Sequence, residues 1–280
     1  MSKHLATFIH SFRFSEKHWF SFVLDFVLVG LIVLLFSLWN NLAKSKYIAL
    51  VGTTPPADFQ QLLLSKAPDQ LQIFVQQLQT FLIFFIIGFV LLLLFSWLLF
   101  SLDIAVVWNY LLNKPFHFRR YWRWNVLHLA LILPVLVYFF LFILVKVILG
   151  VGFSALTTQS LVLQNIDQFV NFFAALFLLI VLSLIYYSFS TGYAVFQSIV
   201  AGFNLLQQHW KSLWRALLLM VVVAYVVSFI IWLLQRQFIL SSTIMLGINI
   251  FISLLYLSWL RMYLLSLIHE SPHSAKAAAP

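Results

Sequence analysis

Five ionisable residues lie inside or at the ends of long apolar stretches of the chain: Asp25, Asp103, His128, Arg215 and Arg261. Ionisable side chains in membrane-spanning segments are rare, face the protein interior and often mark substrate paths or proton relays. If these five converge, they could hold a lipid headgroup or relay a proton at a polar site open to the cytoplasm. Alternatively, Arg215 and Arg261 extend to headgroup level while Asp25 pairs with one of them and fixes neighbouring helices in register.

Six apolar stretches must position these residues. Hydrophobic residues make up 64% of the 280 positions and charged residues only 8%, whereas a soluble domain has about 25% charged residues. A hydrocarbon core about 30 Å thick needs roughly 20 helical residues, and backbone groups in lipid must be satisfied within their own segment. We therefore predict an all-α, polytopic transmembrane helix bundle in a single domain, 1–268, with a disordered tail at 269–280. The predicted spans are 20–39, 81–102, 126–149, 169–191, 213–234 and 242–264.

The segment 40–80 is the one long connection outside the predicted spans. Two glutamine-rich stretches in it carry Leu, Ile and Phe at helical spacing, and each follows a Pro-containing turn signal. We expect helices at the outer membrane face, the second of them continuous with span 2. They could form a lid or partner-binding cap, or a simple connector over the helix ends.

The distribution of basic residues predicts the orientation. With six spans, one side of the membrane receives eleven of the 16 Lys and Arg residues and the other side five. The side richer in Lys and Arg is the cytoplasmic one. The sequence therefore predicts a multi-pass integral membrane protein with both termini in the cytoplasm and segment 40–80 outside.

A short aromatic and basic patch precedes every second span. In each patch a His or Tyr stands before a Trp, and Lys or Arg lies within a few positions: His18-Trp19, Tyr121-Trp122 and His209-Trp210. Such residues place their rings at the membrane interface and their cations against lipid phosphates. The recurrence favours three repeated helical hairpins over chance. The predicted interfacial anchors are Trp19, Trp122, Arg123, Trp124, Trp210 and Trp214.

The segment Phe203-Asn204-Leu205-Leu206-Gln207-Gln208-His209-Trp210-Lys211-Ser212-Leu213-Trp214, with three hairpins, resembles the six-span membrane domain associated with glycerophosphodiester phosphodiesterases. It is similar also to stand-alone bacterial and archaeal membrane proteins of that kind. The resemblance implies a six-helix integral membrane domain. The chain leaves no room for a phosphodiesterase domain, so no catalytic residue is carried over.

The sequence favours a non-enzymatic role. We identify no catalytic motif, metal-ligand set or cofactor motif, and Cys is absent. A net charge of +9 could suggest nucleic acid, but the basic residues flank the spans, so anionic lipid headgroups on the cytoplasmic side are the expected partners. The predicted function is a membrane scaffold or lipid-interacting subunit, whose protein partner the sequence does not name. A small-molecule or lipid transporter is the alternative, and an intramembrane lipid-modifying enzyme is the least favoured class.

Overall fold

The protein is built from helices. The computed structural model describes residues 8–9, 11–12, 15–52, 68–156, 160–192, 194–237 and 242–269, and these contain seven helices and no strand. The helices are α1 (Glu16–Val51), α2 (Pro68–Leu111), α3 (Phe118–Leu156), α4 (Ser160–Gly192), α5 (Val195–Gln208), α6 (Trp210–Gln237) and α7 (Ser242–His269). All except α5 are long and apolar enough to cross a membrane. The all-α class with six spans is therefore confirmed, and the predicted tail lies outside the described residues except for His269.

The first two spanning helices extend well beyond their predicted spans. With 36 and 44 residues, α1 and α2 are about 54 Å and 66 Å long at 1.5 Å per residue. No Gly or Pro interrupts α1 between Asn40 and Val51, and the helix ends where Gly52 adopts a left-handed φ of 73°. Pro68 and Asp69 begin α2 with the two residue types that favour a first turn. Residues 40–51 and 68–80 are therefore helix continuous with the spans, including the second glutamine-rich stretch. The first glutamine-rich stretch lies outside the described residues.

The short helix α5 stands before the last two spans. Its inner face carries Ser198 and Gly202, both buried. A Cβ at Gly202 would lie 2.6 Å from Cγ1 of Ile185, so only glycine permits this close approach of α5 to α4. Phe196 and Val200 are exposed on its outer face. An amphipathic helix of this kind is suited to the membrane interface.

The chain forms two compact units, residues 1–25 with 104–280 and residues 26–103. The first unit has a core in which leucines of α4, α6 and α7 pack together, among them Leu184, Leu217 and Leu260. In the second unit, the α1 residue Trp39 packs against α2, where Gly88 leaves space for its indole ring. Each unit is thus held by apolar packing between helices.

The aromatic and basic patches occupy comparable positions along their helices. Trp19, Trp122 and Trp210 each lie within the first five residues of a long apolar helix, α1, α3 and α6 respectively. All three side chains are exposed. The threefold repeat remains a prediction, because it also requires the three hairpins to superpose.

Candidate functional site

Polar side chains of α1 and α7 meet in the first unit. Ser21 and Asp25 are four residues apart and therefore share one face of α1. Ser258 and Arg261 are three residues apart and share one face of α7 for the same reason. All four side chains are buried. The first and last spanning helices are consequently joined by polar groups that an apolar environment surrounds.

Asp25 and Arg261 form a buried ion pair. Nη1 of Arg261 donates to both carboxylate oxygens of Asp25, at 2.9 Å to Oδ1 and 2.7 Å to Oδ2. The same nitrogen lies 2.9 Å from Oγ of Ser21. The two charged side chains are only 6% and 5% exposed, so their charges neutralise each other away from water. We call Ser21, Asp25 and Arg261 the α1–α7 clamp.

Further contacts link the N-terminal part of the chain to α7. Oγ of Ser258 donates to the carbonyl oxygen of His18 at 2.7 Å. One residue later on α7, Nε1 of Trp259 donates to Oγ of Ser11 at 3.0 Å. The ring of Phe12 stacks on Trp259 with centroids 5.1 Å apart. Together with the clamp, these contacts fix α1 and the residues before it against α7.

His128 contacts residues of α3 and α4. It is buried on α3, where its Nδ1–H donates to the carbonyl oxygen of Trp124 at 2.8 Å. Its ring centroid is 5.4 Å from that of Tyr186 on α4. His128 therefore packs against an aromatic side chain of α4.

The other two predicted site residues are placed differently. Asp103 is buried on α2 at the boundary of the second unit. Arg215 is exposed on α6 and so lies outside the buried pair. Of the five residues proposed from sequence, the structure brings Asp25 and Arg261 into direct contact, and it places His128 against Tyr186.

One predicted interfacial anchor belongs to the core instead. Trp124 is 1% exposed and packs edge-to-face on Phe189 with centroids 4.8 Å apart. Trp124 and Leu131 are seven residues apart on the face of α3 that points into the unit, and both are buried. The remaining predicted anchors are exposed: Trp19, Trp122, Arg123, Trp210 and Trp214.

Sequence reasoning missed the serine members of this arrangement. Ser21 precedes Asp25 by four residues and Ser258 precedes Arg261 by three, and that helical spacing is the signal that identifies them. A hydroxyl one turn from a buried charge can satisfy a hydrogen bond that lipid would not. Serine is common on membrane helices, so the spacing alone does not distinguish these two from the others.

The arrangement offers structural stabilisation rather than a reactive group. Within the described ranges, no three His, Asp or Glu side chains cluster closely enough to hold a metal ion. The carboxylate and the guanidinium neutralise each other, and Ser21 takes part in the same contact. No family model, curated protein or solved structure matches this chain.

Proposed function

We propose that this protein is a non-enzymatic, multi-pass membrane scaffold or lipid-interacting subunit with both termini in the cytoplasm. The observation that carries the proposal is the α1–α7 clamp. Its carboxylate is fully engaged by one guanidinium nitrogen, and both side chains are buried. A group that must bind and release a proton or substrate needs access to water, whereas a clamp needs only a partner.

Cavities in the described residues support the same interpretation. Three of them have volumes between about 440 and 490 Å³, and none is lined by Asp25, Arg261 or His128. The buried charges therefore do not face any of these three cavities. A packed ion pair of this kind holds helices in register.

Lipid contact follows from the exposed apolar surface. In the most apolar 18-residue stretch of α2 no residue is buried, and in the corresponding stretch of α3 only 6% of the residues are buried. Helices of this length and composition are stable where lipid is the solvent, because their backbone groups are satisfied internally. The excess of Lys and Arg on one side supports cytoplasmic termini and contact with anionic headgroups there. We also propose a relation to the six-span domain associated with glycerophosphodiester phosphodiesterases, on the residue pattern alone.

A transporter remains the second candidate because of one polar groove. A cavity of about 440 Å³ between α4 and α5 is lined by Ser188, Thr191, Gln197 and Asn204, among others. Two of its hydroxyls are already engaged within α4: Ser188 donates to the Leu184 carbonyl at 2.9 Å, and Thr191 to the Ser188 carbonyl at 2.7 Å. The groove therefore offers amide groups more than free hydroxyls to a solute.

Thiol labelling separates the two functions. The natural chain has no Cys, so Ser21→Cys would place a single thiol at the clamp. In membranes we expect it to resist a small water-soluble thiol reagent and to react after unfolding in SDS. Ser45→Cys, at an exposed position of α1, serves as the reactive control. If Ser21→Cys reacts as fast as Ser45→Cys in the folded protein, water reaches the charges and the transporter interpretation prevails.

A further inference from the structure

The beginning of α3 carries a basic pocket, which we define as His117, Arg119, Arg120 and Arg123 together with Gly192 at the end of α4. These residues line a cavity of about 490 Å³ that lies entirely within the first unit. Arg119 and Arg123 are four residues apart and share a face of the helix. The imidazole of His117 and the guanidinium groups of the three arginines belong to exposed side chains, so an external ligand can reach them.

Positive charge is concentrated at the start of α3. Like charges four residues apart destabilise a helix, and the first turn of α3 holds no acidic residue. Arg119 and Arg123 form no ion pair with any described carboxylate. Nearby, Lys114 donates to the carbonyl oxygen of Ser190 at 2.7 Å, and burial together with the charge of Arg120 lowers its pKa. An anionic ligand would relieve this repulsion.

The neighbouring residues place the pocket at the membrane surface. Trp122, next to Arg123 in the chain, is 62% exposed, and exposed Trp rings prefer the headgroup level. The amphipathic helix α5 begins three residues after Gly192, with Phe196 and Val200 on its outer face. A helix of that composition lies along the interface. The basic pocket therefore opens where lipid phosphates are found.

We propose that the basic pocket binds the headgroup of an anionic lipid that carries at least two phosphate charges. Three arginines suit this chemistry, because the planar guanidinium binds two phosphate oxygens at once. Several cations around one cavity match a ligand with two negative charges better than a ligand with one negative charge. The inference rests on the proposed function, since it assumes a protein surrounded by lipid, and it names the class of lipid and the residues that select it.

A binding titration with a charge-matched control tests the pocket. The purified full-length protein in neutral detergent is titrated with cardiolipin, which has two phosphates, and bound lipid is measured by native mass spectrometry. Arg119→Gln with Arg123→Gln should weaken binding at least tenfold. Lys211→Gln with Arg215→Gln removes the same charge from exposed positions at the start of α6 and should change affinity less than twofold. An equal loss in both double variants would mean diffuse attraction and overturn the proposal.

Further arms distinguish the ligand and guard against misfolding. Phosphatidylglycerol, with one phosphate, should bind several-fold more weakly than cardiolipin; equal affinity refutes the two-charge requirement. Inorganic pyrophosphate should compete poorly, and if it binds as tightly as cardiolipin the site takes a soluble phosphate instead. Arg119→Lys with Arg123→Lys keeps the charge and should still lose several-fold affinity, so unchanged binding rejects guanidinium recognition. The outcome of Ser21→Cys labelling does not depend on these binding results, so a failure of the proposed function can be distinguished from a failure of this inference.

Discussion

Removal of one partner of the buried pair should destabilise the protein more than removal of both. In Asp25→Leu the guanidinium of Arg261 loses the carboxylate to which it donates at 2.7 and 2.9 Å. A charge with 6% exposure cannot recover the loss from water. The variant Asp25→Leu with Arg261→Met removes both charges and fills the same space with apolar atoms.

The magnitudes follow from the burial of the pair. Loss of one member of a buried ion pair costs about 3–5 kcal/mol, whereas replacement of both by apolar residues is close to neutral. We therefore expect a loss of about 3–5 kcal/mol for Asp25→Leu and near zero for the double variant. Asp25→Asn keeps an acceptor for Nη1 and should lose about 1–2 kcal/mol, as is typical of interhelical polar contacts. Ser21→Ala removes a neutral group and should lose about 1 kcal/mol.

The assay is unfolding in mixed micelles with increasing SDS, followed by the fluorescence of the ten tryptophans. The free energies of unfolding of the two single variants and the double variant give a coupling energy. We expect coupling of at least about 3 kcal/mol. If the losses from Asp25→Leu and Arg261→Met simply add, the two side chains stabilise the protein independently and the clamp is refuted.

Three further predictions concern other parts of the chain. Reporter fusions after residues 60 and 160 should report the outside, and after 115 and 205 the cytoplasm, because eleven of 16 Lys and Arg lie on one side; an outside signal at 115 contradicts the topology. Gly88→Ala should lower stability by about 1–3 kcal/mol, since its Cβ would overlap the Trp39 indole. Gly30→Ala should leave stability unchanged, because a Cβ at Gly30 would have nothing within 4 Å. Trp39→Phe should restore the stability of Gly88→Ala. If Gly30→Ala is equally destabilising, or if Trp39→Phe does not rescue Gly88→Ala, the packing argument is rejected. Arg120→Gln should raise the pKa of Lys114, which burial and Arg120 hold below its usual value, as measured by NMR titration of the labelled amine. Because the pKa of Lys114 is lower in the folded chain than in the unfolded one, the chain should also gain stability as pH rises between these two values. If the titration midpoint of Lys114 is the same in Arg120→Gln as in the natural protein, Arg120 does not repel the Lys114 ammonium.

Composition alone was sufficient to predict the fold class, and the cost of burying a charge indicated that Asp25 needs a partner. A carboxylate about six residues past Trp19 lies roughly 9 Å into an apolar helix, so a cationic partner was expected. The choice among Arg215, Arg261 and His128 was open, because all three belong to other helices and only packing decides which face turns inward. Arg261 faces α1, and Arg215 does not lie in the buried core.

Helix ends and helix faces were harder to predict. Hydropathy detects the membrane-spanning part of α1 but not its extension to Val51, because polar residues after Asn40 remain compatible with helix in water. The helix stops at the first residue that favours a left-handed conformation, Gly52. Trp124 was assigned to the interface by its residue type, whereas its position on the inner face of α3 places it in the core.

The pairing of the first helix with the last also sets the order in which the protein can be completed. Asp25 and Arg261 are separated by 236 positions. At about 5–20 residues per second, a ribosome needs roughly 10–50 s to cover that distance. Throughout this interval Asp25 lacks the guanidinium of Arg261, and an isolated charge in hydrocarbon is costly. A nascent chain that stops before Arg261 therefore leaves Asp25 without its ion-pair partner in α7.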